Sequence, residues 1–431
     1  MDIYRPVINN RVVITGMGVV APNGINLADF AHAIKNGISG IKHNEKLAAL
    51  NFSCQISGEP ALTQEQIAQY FSPLELKGLN STGIVYGVIA GLDAWKDAGL
   101  PIANDEPNWE SGTIFGTGTS GLEKFKIGAE MIDIGQVRKI GSGTVVQTMA
   151  SGVSAFLSGK LGLGNQVSTN SSACTTGTES VLMAYERIKN GHALIMLAGS
   201  TSDSGPYIWG GFDAIRVCTY KHNSDPEKGS RPMSATASGF VPSAGAGALV
   251  LESLESAIKR GAKIYAEVLG GNINSGGQMG AGSMTAPNPI AVQKCITDAI
   301  KNAGIKSEDI DAINGHLTAT SKDAMEIENW SSALNRYGED FPYINSIKSM
   351  IGHSLSATGS IECVASVLQL KEGFIFPNIN CEDLHPEIEK IISPKSIPTT
   401  LIHTPISILA KANFGFGDVN ACLILKKYTD E

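Results

Sequence analysis

Six apolar side chains in a row, Ala193-Leu194-Ile195-Met196-Leu197-Ala198, restrict the fold of this chain more than any other segment. A strand with one wet face alternates apolar and polar residues, so an unbroken run predicts a strand buried on both faces. Cover stands just upstream. Residues 175–189 read as a helix with Val181, Tyr185 and Ile188 on one stripe and Gly191 as its stop. Strand and helix signals alternate along the rest of the chain. Strands are predicted at Val12-Val13-Ile14-Thr15, Thr113-Ile114-Phe115 and Ala248-Leu249-Val250-Leu251, with helices over 27–35 and 84–98. Residues 264–269, 310–314, 406–410 and 421–425 then read as strands, and 291–303 and about 356–370 as helices. Such alternation predicts an α/β architecture with mostly buried sheets.

At 431 residues the chain exceeds one ordinary core, so two domains or one large duplicated domain is expected. The apolar strand near 251 closes a first half, residues 1–253, and the second half, 254–431, begins again with a strand. No sequence repeat is visible between them, and the duplication rests on element order alone. The 48 glycines predict many tight turns and close backbone approaches. A formal net charge of −8 argues against a general nucleic-acid binder, whose footprint would be basic. It leaves room for a local basic patch facing an acidic protein partner. No apolar run reaches the length of a membrane span, and Met1-Asp2-Ile3-Tyr4-Arg5-Pro6 has no signal-peptide core. The seven cysteines are scattered, with no Cys-x-x-Cys pair, which fits a reduced cytoplasmic protein better than a disulfide scaffold or a metal site.

Two stretches imitate a dinucleotide fingerprint, Gly16-Met17-Gly18-Val19-Val20-Ala21 and Gly116-Thr117-Gly118-Thr119-Ser120-Gly121. That fingerprint needs a helix opening at the glycines to hold a pyrophosphate. In the first stretch Pro22-Asn23-Gly24 breaks any such helix, and no acidic residue ends a second strand at the required distance. The second stretch is a lone G-x-G-x-x-G, a weak signal. No nucleotide cofactor is expected.

Four sites carry chemistry. In Ser171-Ser172-Ala173-Cys174-Thr175-Thr176-Gly177 a cysteine stands at the threshold of the 175–189 helix, where the helix dipole and unpaired N–H groups favour a thiolate nucleophile. A small residue packing a strand–helix corner fits the same pattern. In Asn314-Gly315-His316-Leu317-Thr318 a histidine follows a strand directly, where α/β proteins present catalytic side chains; a hydrogen-bonded structural histidine fits as well. Lys348-Ser349-Met350-Ile351-Gly352-His353 sets a second histidine just before a helix, whose dipole should keep it neutral. Asn413-Phe414-Gly415-Phe416-Gly417 reads as a glycine-rich turn after a strand, able to aim a backbone N–H at an oxyanion or simply to pack two aromatics.

In this order the four sites resemble the elongating β-ketoacyl-(acyl carrier protein) synthases, nearly from end to end and including Arg231-Pro232, Gly239-Phe240 and Gly245-Ala246-Gly247. The resemblance implies a thiolase-like fold of two similar βαβ-rich halves in five α-β-α-β-α layers. It implies Cys174 as the acyl-accepting nucleophile and His316 and His353 as hydrogen-bond donors to a malonyl thioester during decarboxylation. It further implies an ion pair between Lys348 and Glu326, an oxyanion N–H and pocket gate at Phe416, and a carrier-protein contact at Arg216. No cofactor or metal is implied. The partners would be acyl- and malonyl-loaded carrier protein and a second subunit, identical or related. Two histidines separate the chain from the initiating synthases, and Phe414-Gly415-Phe416 stands where thiolases carry a second cysteine. A non-catalytic chain-length partner would lack the cysteine.

The chain departs from the family pattern at several places. These are His316-Leu317-Thr318-Ala319-Thr320, a loop one residue shorter before Asp323, Thr236-Ala237-Ser238, Ser243-Ala244 and Asp418 after the Phe416 turn. They suggest a specialised synthase, for a polyene or another secondary metabolite.

Overall fold

Strand β1 (Val12–Val20) has every residue buried, and helix α1 (Thr82–Asp97) lies close against it because two of its residues lack a Cβ. A Cβ on Gly16 would sit 2.2 Å from the Ala94 carbonyl oxygen, and one on Gly18 2.0 Å from that of Ala90. The first fingerprint-like stretch is therefore strand through Val20, and its glycines serve helix packing. In the second, the N–H of Gly121 donates to the carboxylate of Asp203 at 2.7 Å, and Gly83 donates to the same carboxylate. A built-in anion already occupies the amide a phosphate would need.

The computed structural model describes residues 9–429; the Met1–Pro6 segment read above lies outside them. After β1 the large sheet takes in β2 (Ser111–Thr117), β3 (Val167–Ser168), β4 (Ile195–Ser202) and β5 (Gly245–Ser253). From the second half it takes β6 (Ala266–Ser275), β7 (Ala312–Asn314), β8 (Tyr343–Asn345), β9 (Ile408–Gly415) and β10 (Val419–Lys427). The order across the sheet is β8-β7-β9-β10-β6-β1-β5-β4-β2-β3. Each half thus runs first strand, last, fourth, second, third. In each, the first two contacts are antiparallel and the last two parallel. The halves join where β1 and β6 pair antiparallel over Val12–Ile14. The repeat that no sequence identity betrays is complete in the topology.

Helix α2 (Thr176–Lys189) from the first half packs on α4 (Thr358–Glu372) from the second, and both lie between the two halves of the sheet. Helix α1 covers the outer face of the first half and α3 (Pro289–Ala303) that of the second. The result is the five-layered thiolase-like fold. The buried apolar residues divide accordingly, into a cluster around the central helices and one under each outer layer. Thr358 to Leu370 of α4 are all buried, although they include Glu362 and two serines, Ser360 and Ser366. An all-round buried helix is what a central layer demands. Among the described residues no helix is long and apolar enough to cross a membrane.

Several elements outrun their apolar signal. Strand β4 continues through Gly199, Ser200, Thr201 and Ser202 because β5 and β2 pair with it on both sides there. Ser200 meets Ser360 of α4 hydroxyl to hydroxyl at 2.7 Å. Strand β9 likewise runs on through Asn413, Phe414 and Gly415, so the expected turn begins only at Phe416. Paired backbone carries polar side chains into the core.

Candidate active site

Cys174 sits in a single 3₁₀ turn, Ala173–Thr175, immediately before α2. Ala173 takes a left-handed φ of 48°, uncommon for a residue with a Cβ. The turn is tied down by Glu179, whose carboxylate accepts the Thr175 hydroxyl at 2.8 Å and that of Ser172. Gly116 makes room for it, since a Cβ there would lie 2.3 Å from Thr176. Backbone N–H groups of Phe416 and of Cys174 itself lie against the sulfur. Burial nevertheless pushes the thiol up to about 11. Lys348 and these N–H groups lower it, but its partial burial outweighs them, so the resting group is a thiol rather than the expected thiolate.

The Nε2 of His353 lies 3.1 Å from the Cys174 sulfur. Its Nδ1 accepts the Leu355 backbone N–H at 3.2 Å, and the Thr358 hydroxyl, able to donate to the same nitrogen, lies 2.8 Å away. A backbone amide can only donate, so the neutral ring carries its hydrogen on Nε2, facing the cysteine. His316 follows β7 and Gly315, and its ring meets that of His353 edge to face at 5.4 Å between centroids. Both imidazoles titrate well below 6.5, chiefly through burial and then the Lys348 charge. For His353 burial replaces the helix dipole as the cause; α4 begins only at Thr358, beyond an intervening 3₁₀ turn.

The sulfur and one nitrogen of each ring all lie within 4.8 Å of one another. That spacing would also suit a metal. With the His353 hydrogen on Nε2, however, the site offers a donor rather than a lone pair, which suits an oxyanion. A cavity of about 440 Å³ opens from these three residues. Phe416 is half-buried in its wall, 6.0 Å from Phe212 between ring centroids. Arg216 and Lys322, both exposed, also line it.

Residues 9–257 match the family described as "Beta-ketoacyl synthase, N-terminal domain" and residues 265–382 its C-terminal domain. The chain belongs to the β-ketoacyl synthase family. It is 32% identical over 424 residues to 3-oxoacyl-(acyl-carrier-protein) synthase 2 of Vibrio harveyi, covering 97% of this chain and 99% of that protein. A β-ketoacyl synthase of Burkholderia phymatum superposes with a TM-score of 0.87 at 26% identity, over 97% of this chain and all of that one. A type II PKS ketosynthase, solved with its acyl-carrier protein and bound to the hexaketide, gives 0.83 at 27% identity, over 98% of this chain and 100% of that one.

Behind the histidines the synthase departs from the expected ion pair. Lys348 pairs with Glu362 of α4, not with Glu326, and its ammonium also donates to the His316 carbonyl. Glu326 instead accepts the backbone N–H groups of His316 at 2.6 Å and Leu317 at 2.7 Å. Burial raises its carboxyl to about 7 against those N–H groups. Glu362 takes a second lysine as well, Lys411 of β9, at 2.8 Å. The sequence alone assigns no role to Glu362 or Lys411, whose signal is a charge inside an otherwise buried pattern, Gly359-Ser360-Ile361-Glu362-Cys363-Val364 and Leu409-Ala410-Lys411-Ala412, and it has Asn413 only as part of a turn. Glu362→Gln leaves two buried ammonium groups without a counter-charge and is expected to cost about 3–5 kcal/mol. A urea titration checks this; a loss under about 1 kcal/mol would contradict the buried pairing.

The family departures are filled by local solutions. Asp323 accepts the N–H groups of Thr318 at 3.0 Å, Ala319 at 3.1 Å and Met233 at 2.9 Å, so the altered loop after His316 is rigidly held. Asp418 accepts those of Gln278 at 2.9 Å and Asn288 at 2.8 Å, fastening the 276–288 loop to the Phe416 turn.

Proposed function

We propose that this synthase catalyses decarboxylative Claisen condensation, joining an acyl group on Cys174 to malonyl-(acyl carrier protein) to give a 3-oxoacyl-(acyl carrier protein). The observation that carries the reading is one partly exposed cysteine sulfur beside two buried imidazoles in the wall of a cavity. Cys174 attacks the acyl thioester as its proton passes to the departing carrier thiol, so no net proton is consumed. The N–H groups of Cys174 and Phe416 hold the oxyanion. In the second half-reaction the malonyl C–C bond breaks, CO2 leaves, and His316 and His353 donate to the enolate oxygen. The enolate carbon attacks the acyl carbonyl, and the Cys174 sulfur leaves and regains a proton from water. Lys348 and Glu326 hold the His316 loop, and Phe416 gates the acyl end of the cavity. Carboxyl-labelled malonyl-carrier protein should release labelled CO2 with wild-type enzyme; no release would sink the proposal.

The altered loops favour a polyene or other polyketide-type chain over a housekeeping fatty acid. We further read the protein as cytoplasmic, with halves dividing at 253/254. A dimer, with itself or a related subunit, is supported by β3 at the sheet edge with Val167 exposed, and by exposed Phe125 and Val145. Carrier protein, being acidic, would dock at Arg216 and Lys322. Arg216→Glu should then raise the KM for acyl-carrier protein several-fold, more at low salt, because exposed charges are screened over about 10 Å at 0.1 M. Alkylation of Cys174 by a small reagent should be unchanged. Normal kinetics at low salt would move the docking site elsewhere.

A further inference from the structure

We infer that Asn413, oriented by Lys411, is a positioning residue that locks His316 in the tautomer carrying hydrogen on Nε2. The inference rests on the decarboxylation role proposed above for His316. It begins with the amide, whose two ends must be told apart by their partners. One end lies 2.9 Å from the Lys411 ammonium, which has hydrogens to give and no lone pair to accept with, so that end is the oxygen. The Thr178 hydroxyl donates to the same oxygen at 2.6 Å. The other end lies 2.9 Å from the Glu362 carboxylate, which accepts, so that end is the NH2. Two independent partners fix one orientation.

The second hydrogen of that NH2 points to His316 Nδ1 at 3.1 Å. Nδ1 must therefore accept, and the ring hydrogen resides on Nε2. At His353 the Thr358 hydroxyl also lies 2.8 Å from Nδ1, but the backbone N–H of Leu355 donates to that nitrogen as well, and no side-chain substitution removes it. The donor on His316 depends on side chains alone: Asn413, Lys411 and Glu362, all buried.

Asn413→Asp replaces the donor facing Nδ1 with an acceptor. The hydrogen then moves to Nδ1, and Nε2 turns a lone pair toward the enolate oxygen. CO2 release from malonyl-carrier protein should fall about 100-fold or more, the range for one lost oxyanion donor. Iodoacetamide should alkylate Cys174 within about twofold of the wild-type rate, since the His353 contact is untouched. Lys411→Met removes one of the amide's orienting donors but leaves Thr178 and Glu362 to hold it, and should give a smaller loss in CO2 release than Asn413→Asp without a change in KM for acyl-carrier protein. Nitrogen-15 NMR of histidine-labelled enzyme, assigned with His316→Gln, reads the tautomer directly. Nε2–H in the wild type and Nδ1–H in folded Asn413→Asp support the inference. Nδ1–H in the wild type overturns it even if no variant folds, as does an unchanged tautomer in the folded variant. Failure of the wild type to release CO2 would instead strike the proposed function and leave the tautomer assignment standing.

Discussion

Cys174→Ser is expected to lose condensation by roughly 10⁴-fold or more, the scale on which removing a covalent nucleophile acts. Even the native thiol is held up to about 11 by burial, and a serine hydroxyl is a far weaker acid. Activating it would take an adjacent base, and none is present in the required form. The nearest ring, His353, already uses its Nδ1 lone pair on Leu355 and presents Nε2–H to residue 174. Chemical labelling should agree. The other six cysteines are buried, whereas Cys174 is partly open to the cavity, so iodoacetamide should reach it first. Activity retained in the serine variant, or uniform labelling, would count decisively against Cys174.

His353→Ala separates the two half-reactions. It removes one of two donors to the enolate, so CO2 release should drop about 10²–10³-fold. Acyl transfer should survive, because the mechanism proposed above assigns the oxyanion of that step to the backbone N–H groups of Cys174 and Phe416, which the substitution does not touch. Rapid-quench assays of the two steps would read the split. Loss of acylation with decarboxylation intact would reverse the roles of the cysteine and the histidine.

What the sequence disclosed follows physical lines. The run Ala193–Ala198 announced a doubly covered strand because burial on both faces leaves no room for alternation; the strand begins at Ile195, and Leu194 stands exposed before it. Cys174, His316 and His353 were legible because each stands at an element boundary beside small residues, where side chains turn toward a cavity. The network behind them was not. Asn413 was read as part of a turn because Gly415 and Gly417 dominate its surroundings, yet the backbone stays paired to β10 through Gly415. Glu362 and Lys411 each lie within an apolar pattern on a different element, and nothing local says that the two charges meet. Lys348 was paired with Glu326 by family likeness, whereas Glu326 is spent on two backbone amides. Partner choice among buried charges is a tertiary fact.

The acyl-enzyme on Cys174 is the most direct test of the proposed reaction. Synthase incubated with acyl-carrier protein, digested and mapped by mass spectrometry, should carry the acyl mass on the peptide containing Cys174. A chase with malonyl-carrier protein should discharge that mass as 3-oxoacyl-carrier protein. Acylation from the coenzyme A thioester alone would point to a thiolase-type acyltransferase. An acyl mass on any other residue, or product formed while Cys174 stays free, would contradict the account.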